Sequence, residues 1–151
     1  MENVIKFETN IQEYSLNDRV SIVFSPTDIH FIEEVLTTFD EIVSLYDEYQ
    51  SDVKQINGDD PETDAAMRIY DIAHKADADI RGKINSVFGK DVCTPTIGGR
   101  SILMPAGGLP VWANMLLAII DKFDAQLVEE KKKTNSRISQ YTEKYKKRQN
   151  R

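Results

Sequence analysis

Between residues 32 and 53 apolar side chains recur at steps of three and four: Ile32, Val35, Leu36, Phe39, Ile42, Val43, Tyr46, Tyr49 and Val53. That spacing puts them on one face of a long helix, with acids filling the other face. Ahead of it stands Ser25-Pro26-Thr27-Asp28. Ser25 or Thr27 is the expected N-cap, Pro26 suits the first turn, and Asp28 with Glu33-Glu34 complements the helix dipole. Behind it, Asn57-Gly58-Asp59-Asp60-Pro61 is a strong breaker. A chain carrying so long a stripe must bury it against other apolar faces, which commits most of the molecule to helix packing.

Two further stripes supply those faces. Ala65, Ile69, Ile72, Ala73, Ala76, Ile80, Ile84 and Val87 predict a helix that starts at Pro61 or Glu62 and stops at Gly89. Val111, Trp112, Met115, Leu116, Ile119, Ile120, Phe123, Leu127 and Val128 predict another, opening at Pro110. Its periodicity runs on to Ile138, Tyr141 and Tyr145, so the C-terminal tail is expected to be helical. Near the N-terminus the period changes to two. Residues 3–8 place Ile5 and Phe7 on one side, and residues 19–24 repeat this with Val20, Ile22 and Phe24. With Asn17-Asp18 as a turn signal, the expected fold is α+β and mostly α. An N-terminal antiparallel β-hairpin packs on about three long helices.

At 151 residues the chain suits one globular domain, residues 1–130, followed by a basic extension, 131–151. The extension holds nine basic residues and one acid, a net charge of +8, against −14 for the remainder and −6 for the whole chain. A charge block of this kind reads first as a solvated helix end. Its other reading is a phosphate-binding arm through Lys144, Lys146, Lys147 and Arg148, with Tyr141 and Tyr145 stacking on bases. Neither a membrane-spanning run nor a secretory leader is expected, and the single cysteine, Cys93, suits a reducing compartment.

Segment 89–109, GKDVCTPTIGGRSILMPAGGL, breaks the helical pattern with two Gly-Gly pairs and two prolines. Its apolar residues are too many for a free linker, so it is expected to lie over the core or meet a partner. Trp112, just after it, reads as core by its helical spacing and as an interface anchor by its residue type.

The sequence points to no catalytic chemistry. His30 and His74 fall on separate helices and neither is spaced to activate Cys93 or a serine. One cysteine and two distant histidines make no zinc site. Asp77-Ala78-Asp79-Ile80-Arg81-Gly82 matches a calcium loop at three positions but has Phe88 where a bidentate glutamate is needed. Gly98-Gly99 and Gly107-Gly108 lack the residues of a phosphate loop. The expectation is a non-enzyme with no catalytic residue, no metal and no cofactor.

The order of elements resembles small tail-assembly chaperones of long-tailed phages and prophages of Gram-positive bacteria. The resemblance is carried by IKFE at 5–8, RVSIVFSPTDIHFIEEV at 19–35, INSVFGKDV at 84–92, WANMLLAIIDKFDAQLVEE at 112–130 and the basic YTEKYKKRQNR at 141–151. It implies a helical protein of the host cytoplasm that binds the apolar tape-measure protein and helps tail-tube subunits polymerise around it. An apolar groove between helices would suit such a client. The partner-binding candidates are Ile97, Leu103, Met104, Leu109 and Trp112, on and beside a segment 97–109 expected to swing on its glycines. Amphipathic stripes bury equally well within or between chains, so a homo-oligomer stays open. The alternative functions are a structural virion component such as a head–tail connector subunit, and a nucleic-acid accessory acting through the basic tail.

Overall fold

A computed structural model describes residues 2–56, 62–133 and 136–149. The chain begins with an antiparallel hairpin of β1 (Gln12–Leu16) and β2 (Val20–Phe24), in which Gln12 faces Phe24 and Leu16 faces Val20. The connection works because Asn17 and Asp18 take left-handed backbone angles, φ 51° and 58°, which asparagine and aspartate tolerate best after glycine. Arg19 N–H closes it on the Leu16 carbonyl at 3.0 Å.

The first strand is thus 12–16 and not the expected 3–8. A three-residue connection makes Gln12–Leu16 the cheapest neighbour for β2. The more strongly alternating segment 3–8 finds no strand partner among the described residues, and Val4, Ile5 and Phe7 remain 70%, 88% and 79% exposed.

Helix α1 (Ile29–Lys54) follows. Its N-cap is Asp28, whose carboxylate accepts from His30 N–H at 3.0 Å, and not Ser25 or Thr27. Those two hydroxyls lie 3.3 Å from each other instead, Thr27 also accepts from the Asn10 amide, and Pro26 is buried in the turn before the helix. Helix α2 (Glu62–Phe88) stops where the sequence says it should, at Gly89 with φ 67°. The stripes of the two helices meet in the core, where Val35 and Ile42 of α1 and Ile80 and Ile84 of α2 are fully buried. Full burial of one such side chain stabilises by roughly 1.5–3 kcal/mol. The N-terminal part of the α2 stripe does not reach this core, and Ile69 stays exposed together with Met67 and Tyr70.

Segment 89–109 lies over the core. It contains the short helix α3 (Cys93–Ile97) and a minimal hairpin of β3 (Pro105–Ala106) and β4 (Leu109–Pro110). Gly107 and Gly108, at φ 65° and 87°, make the two-residue turn. Val92, Cys93, Ile102 and Leu103 are buried beneath it.

Pro110 then serves as N-cap of α4 (Val111–Lys132). The first two helical N–H groups, which no helix satisfies internally, donate back to the segment: Val111 to Met104 O at 3.0 Å and Trp112 to Ile102 O at 3.1 Å. Trp112, Ala113, Met115, Leu116, Ile119 and Phe123 face the core. Phe24, Phe31 and Phe123 join hairpin, α1 and α4 through ring centroids 4.8–6.0 Å apart. Helix α4 does not run through the lysines; it ends at Lys132, and the basic tail forms a separate helix, α5 (Arg137–Gln149). The architecture is α+β and mostly helical, with an N-terminal hairpin on long helices, as the stripes predict.

Candidate functional site

An open concavity lies where the hairpin, α3, the segment after it and α4 meet without closing. It has a volume of about 470 Å³ and is mostly apolar. Ile22 and Phe24 of β2 form one wall, and Met115 and Ile119 of α4 form the floor. Tyr14 and Leu16 of β1 stand at one side, with Ile97 and Met104 at the other. Polar groups are confined to a few positions, among them Asn17, Thr96, Asn114 and Lys122. An apolar cleft with few polar groups suits an apolar side chain or peptide segment better than a charged metabolite.

The walls are held by contacts within the hairpin and by bonds from α2. Tyr14 donates its hydroxyl to Gln12 Oε1 at 3.0 Å and stacks on Phe24 at 4.6 Å. Burial raises its phenol pKa above the usual 10.0, so it stays neutral and donating. The wall after α3 is tied down from α2. Asp77 accepts from Ile102 N–H at 2.6 Å and pairs with Arg81 at 3.2 Å. Arg81 in turn donates to the carbonyls of Gly98 and Arg100. Asn85 Oδ1 accepts from Val92 N–H at 2.9 Å and Cys93 N–H at 3.2 Å, which fixes the entry to α3. One face of α2 therefore holds three polar residues, Asp77, Arg81 and Asn85, that organise the backbone of 92–102.

The candidate partner-binding residues separate into three groups. Ile97 and Met104 line the cleft together. Leu109 sits on β4, 43% exposed, outside the cleft. Leu103 and Trp112 are 8% and 3% exposed and belong to the core, so neither presents a surface to a partner. Trp112 lies against Phe39 and Tyr46, with centroids at 5.8 and 5.4 Å. Its Nε1 is buried with no hydrogen-bond acceptor among the described residues, a penalty of roughly 1–3 kcal/mol that the packing must outweigh. Segment 97–109 is anchored by the Asp77 and Arg81 bonds and by buried Ile102, and only its Ile97, Met104 and Ala106 side faces the cleft.

Of the nucleic-acid candidates, Lys144 and Lys146 are exposed on α5, and the side chains of Lys147 and Arg148 lie outside the described residues. Tyr141 is half exposed with the Arg137 guanidinium 5.8 Å over its ring. Tyr145's side chain also lies outside the described residues.

The cleft residues that sequence reasoning did not single out are Tyr14, Ile22, Phe24, Met115 and Ile119. Most are visible as members of apolar stripes. What no stripe reveals is that the short hairpin leaves one side of α4 uncovered.

Among the described residues the titratable groups lining the cleft are Tyr14 and Lys122. Cys93 is fully buried, and desolvation pushes its thiol from 9.0 up to about 11, so it is a neutral packing group at physiological pH. His30 and His74 lie on the surface, His74 stacked on Tyr70 at 5.7 Å. Hydrogen bonds from Thr94 hold the Asp91 carboxyl below its usual range, which marks a turn and not a reactive acid. Among the described residues there is no group of three or more His, Cys, Asp or Glu able to hold a metal ion, and no helix long and apolar enough to cross a membrane. Compared with protein-family models, curated proteins and solved structures, the chain finds no match.

Proposed function

We propose that this chain is a non-catalytic assembly protein of the phage-tail type. In this reading it binds an apolar segment of the tape-measure protein in the host cytoplasm and delivers it to polymerising tail-tube subunits. The observation that supports the reading is the open apolar cleft of about 470 Å³ between the hairpin and α4, with polar groups at few positions. An amphipathic helix or extended apolar segment seats in such a groove by its side chains, with little demand for charge. The surplus of acids in residues 1–130 keeps a complex with an apolar client soluble through repulsion between copies.

The test is affinity capture of the tagged full chain from phage-producing cells, with and without nuclease, beside a variant in which Ala118→Arg fills the cleft. Ala118 lines the cleft from the exposed side of α4, so the substitution spares the core. Recovery of a long, apolar, helix-rich protein, nuclease-resistant and lost with Ala118→Arg, supports the reading. Recovery that nuclease releases assigns the function to the basic helix α5. Retention of the chain in finished particles identifies a structural virion component instead.

A further inference from the structure

We propose that the N-terminal arm, residues 2–9, is a strand donated to a second copy of this chain, where it adds to the free edge of β1 and inserts Ile5 and Phe7 into the cleft. Three features meet in this assignment.

The first is an arm built for a sheet and left without one. Val4, Ile5 and Phe7 are among the most exposed apolar residues of the chain, and among the described residues no hydrogen bond or ion pair joins 2–8 to the body. Its alternation puts Ile5 and Phe7 on one face and Lys6 and Glu8 on the other.

The second is an acceptor of matching form. β1 is paired on one side only, with β2, in a two-stranded sheet. Such an edge presents unpaired N–H and C=O groups. The cleft lies against the same hairpin, where half-buried Tyr14 and Leu16 alternate with exposed Glu13 and Ser15. A strand beside β1 with Ile5 and Phe7 inward continues that alternation. In the antiparallel register that sets Ile5 opposite Tyr14, Lys6 falls on the outward face opposite Glu13, an opposite-charge pairing. An isoleucine and a phenylalanine side chain need roughly 250 Å³ at interior packing density, which the cleft of about 470 Å³ accommodates.

The third is direction and area. Asn10 takes a left-handed φ of 56° and donates its amide to Thr27 at 3.2 Å, while its oxygen accepts from Gln12 at 2.6 Å. These bonds fasten the root of the arm beside the start of α1, at the end of the hairpin opposite the Asn17-Asp18 turn, and the arm leaves the body there instead of turning back along β1. Ile5 and Phe7, 88% and 79% exposed, are the apolar surface that each arm brings to the cleft. A reciprocal exchange of two arms, with the surfaces that receive them, buries on the order of 1,000 Å², at the low end for a specific interface and in keeping with a contact of micromolar strength.

The arm occupies the cleft of the proposed client site, but its docking does not depend on the client. An arm and a client segment then compete for one groove. The docking is measured on protein with no client present, so its failure and the failure of the client reading are separate results. The experiment is light scattering of the full chain at about 100 μM, where a micromolar contact is saturated, with hydrogen exchange on the arm. The wild-type chain is expected to run at twice its monomer mass or more, with residues 4–8 protected. Ile5→Asp/Phe7→Asp, which alters only exposed residues, and Ala118→Arg are each expected to run as monomers with unchanged melting and an unprotected arm. A wild-type monomer overturns the proposal, whether its arm exchanges freely or is protected by its own cleft. So does an Ile5→Asp/Phe7→Asp variant that stays associated.

Discussion

Replacing Asp77 by alanine strips the segment over the core of its anchor, and the consequence can be worked from the geometry. The carboxylate accepts from Ile102 N–H at 2.6 Å, and Ile102 is fully buried. Without it that N–H loses its acceptor in a place shielded from water, which costs roughly 1–3 kcal/mol. The same carboxylate pairs with Arg81 across side chains only 16% and 20% exposed, so the guanidinium holding Gly98 and Arg100 loses its orienting partner. Together the two effects should destabilise the fold by about 3 kcal/mol. In a chain of this length that lowers the midpoint by about 6–12 °C. Asp77→Asn keeps an oxygen for Ile102 and loses only the ion pair, so it should cost about 1 kcal/mol. Urea unfolding of the three proteins measures both values, and limited proteolysis should cut Asp77→Ala first within 98–108. An Asp77→Ala protein within about 0.5 kcal/mol of wild type would refute the anchoring argument, since that is the range of ordinary surface substitutions.

Trp112→Ala should cost about 3–5 kcal/mol, as truncation of a buried aromatic does. The single tryptophan should emit as a buried indole whose fluorescence shifts red only on unfolding; red emission from the native chain would contradict its burial. For Cys93, burial holds the proton on the folded thiol beyond its ordinary 9.0, up to about 11. Its contribution to stability is therefore complete below pH 9.0 and lost as pH rises through that window, because the unfolded chain ionises first. Denaturant midpoints from pH 8 to 11, set against Cys93→Ala, isolate this slope, and a thiol that reacts quickly with a disulfide reagent at pH 7 would contradict it. Asp28→Ala should cost about 1 kcal/mol by leaving the first turn of α1 uncapped, while Thr27→Ala leaves that cap intact; equal losses from both would show the cap to be misassigned.

The long helices are legible in the residues themselves, and the reason is local. A stripe at steps of three and four has one conformation that gathers it, and Gly89 ends α2 because it takes a left-handed φ at little cost. Asn17-Asp18 marks its turn for the same reason, whereas Gly107-Gly108, expected as a hinge, makes the tight turn between β3 and β4. At the start of α1 the tetrapeptide Ser25–Asp28 is legible as a capping segment, but only geometry chooses Asp28 as the residue whose oxygen meets a free N–H.

The site is less legible. Ile97 and Met104 line the cleft, whereas Leu103 and Trp112, equally apolar and nearby in sequence, turn inward. Composition cannot separate them, because which side of an irregular segment faces the core depends on where Asp77 and Arg81 of α2 hold its backbone. The hairpin shows the same division. Alternation marks both 3–8 and 19–24 as strands, yet 12–16 takes the place beside β2 because a three-residue connection brings it there first. Local pattern and turn chemistry determine which stretches can be helix or strand. Pairing and inward facing are long-range choices, made by chain connectivity and by buried polar anchors far away in sequence, and only the tertiary structure decides them.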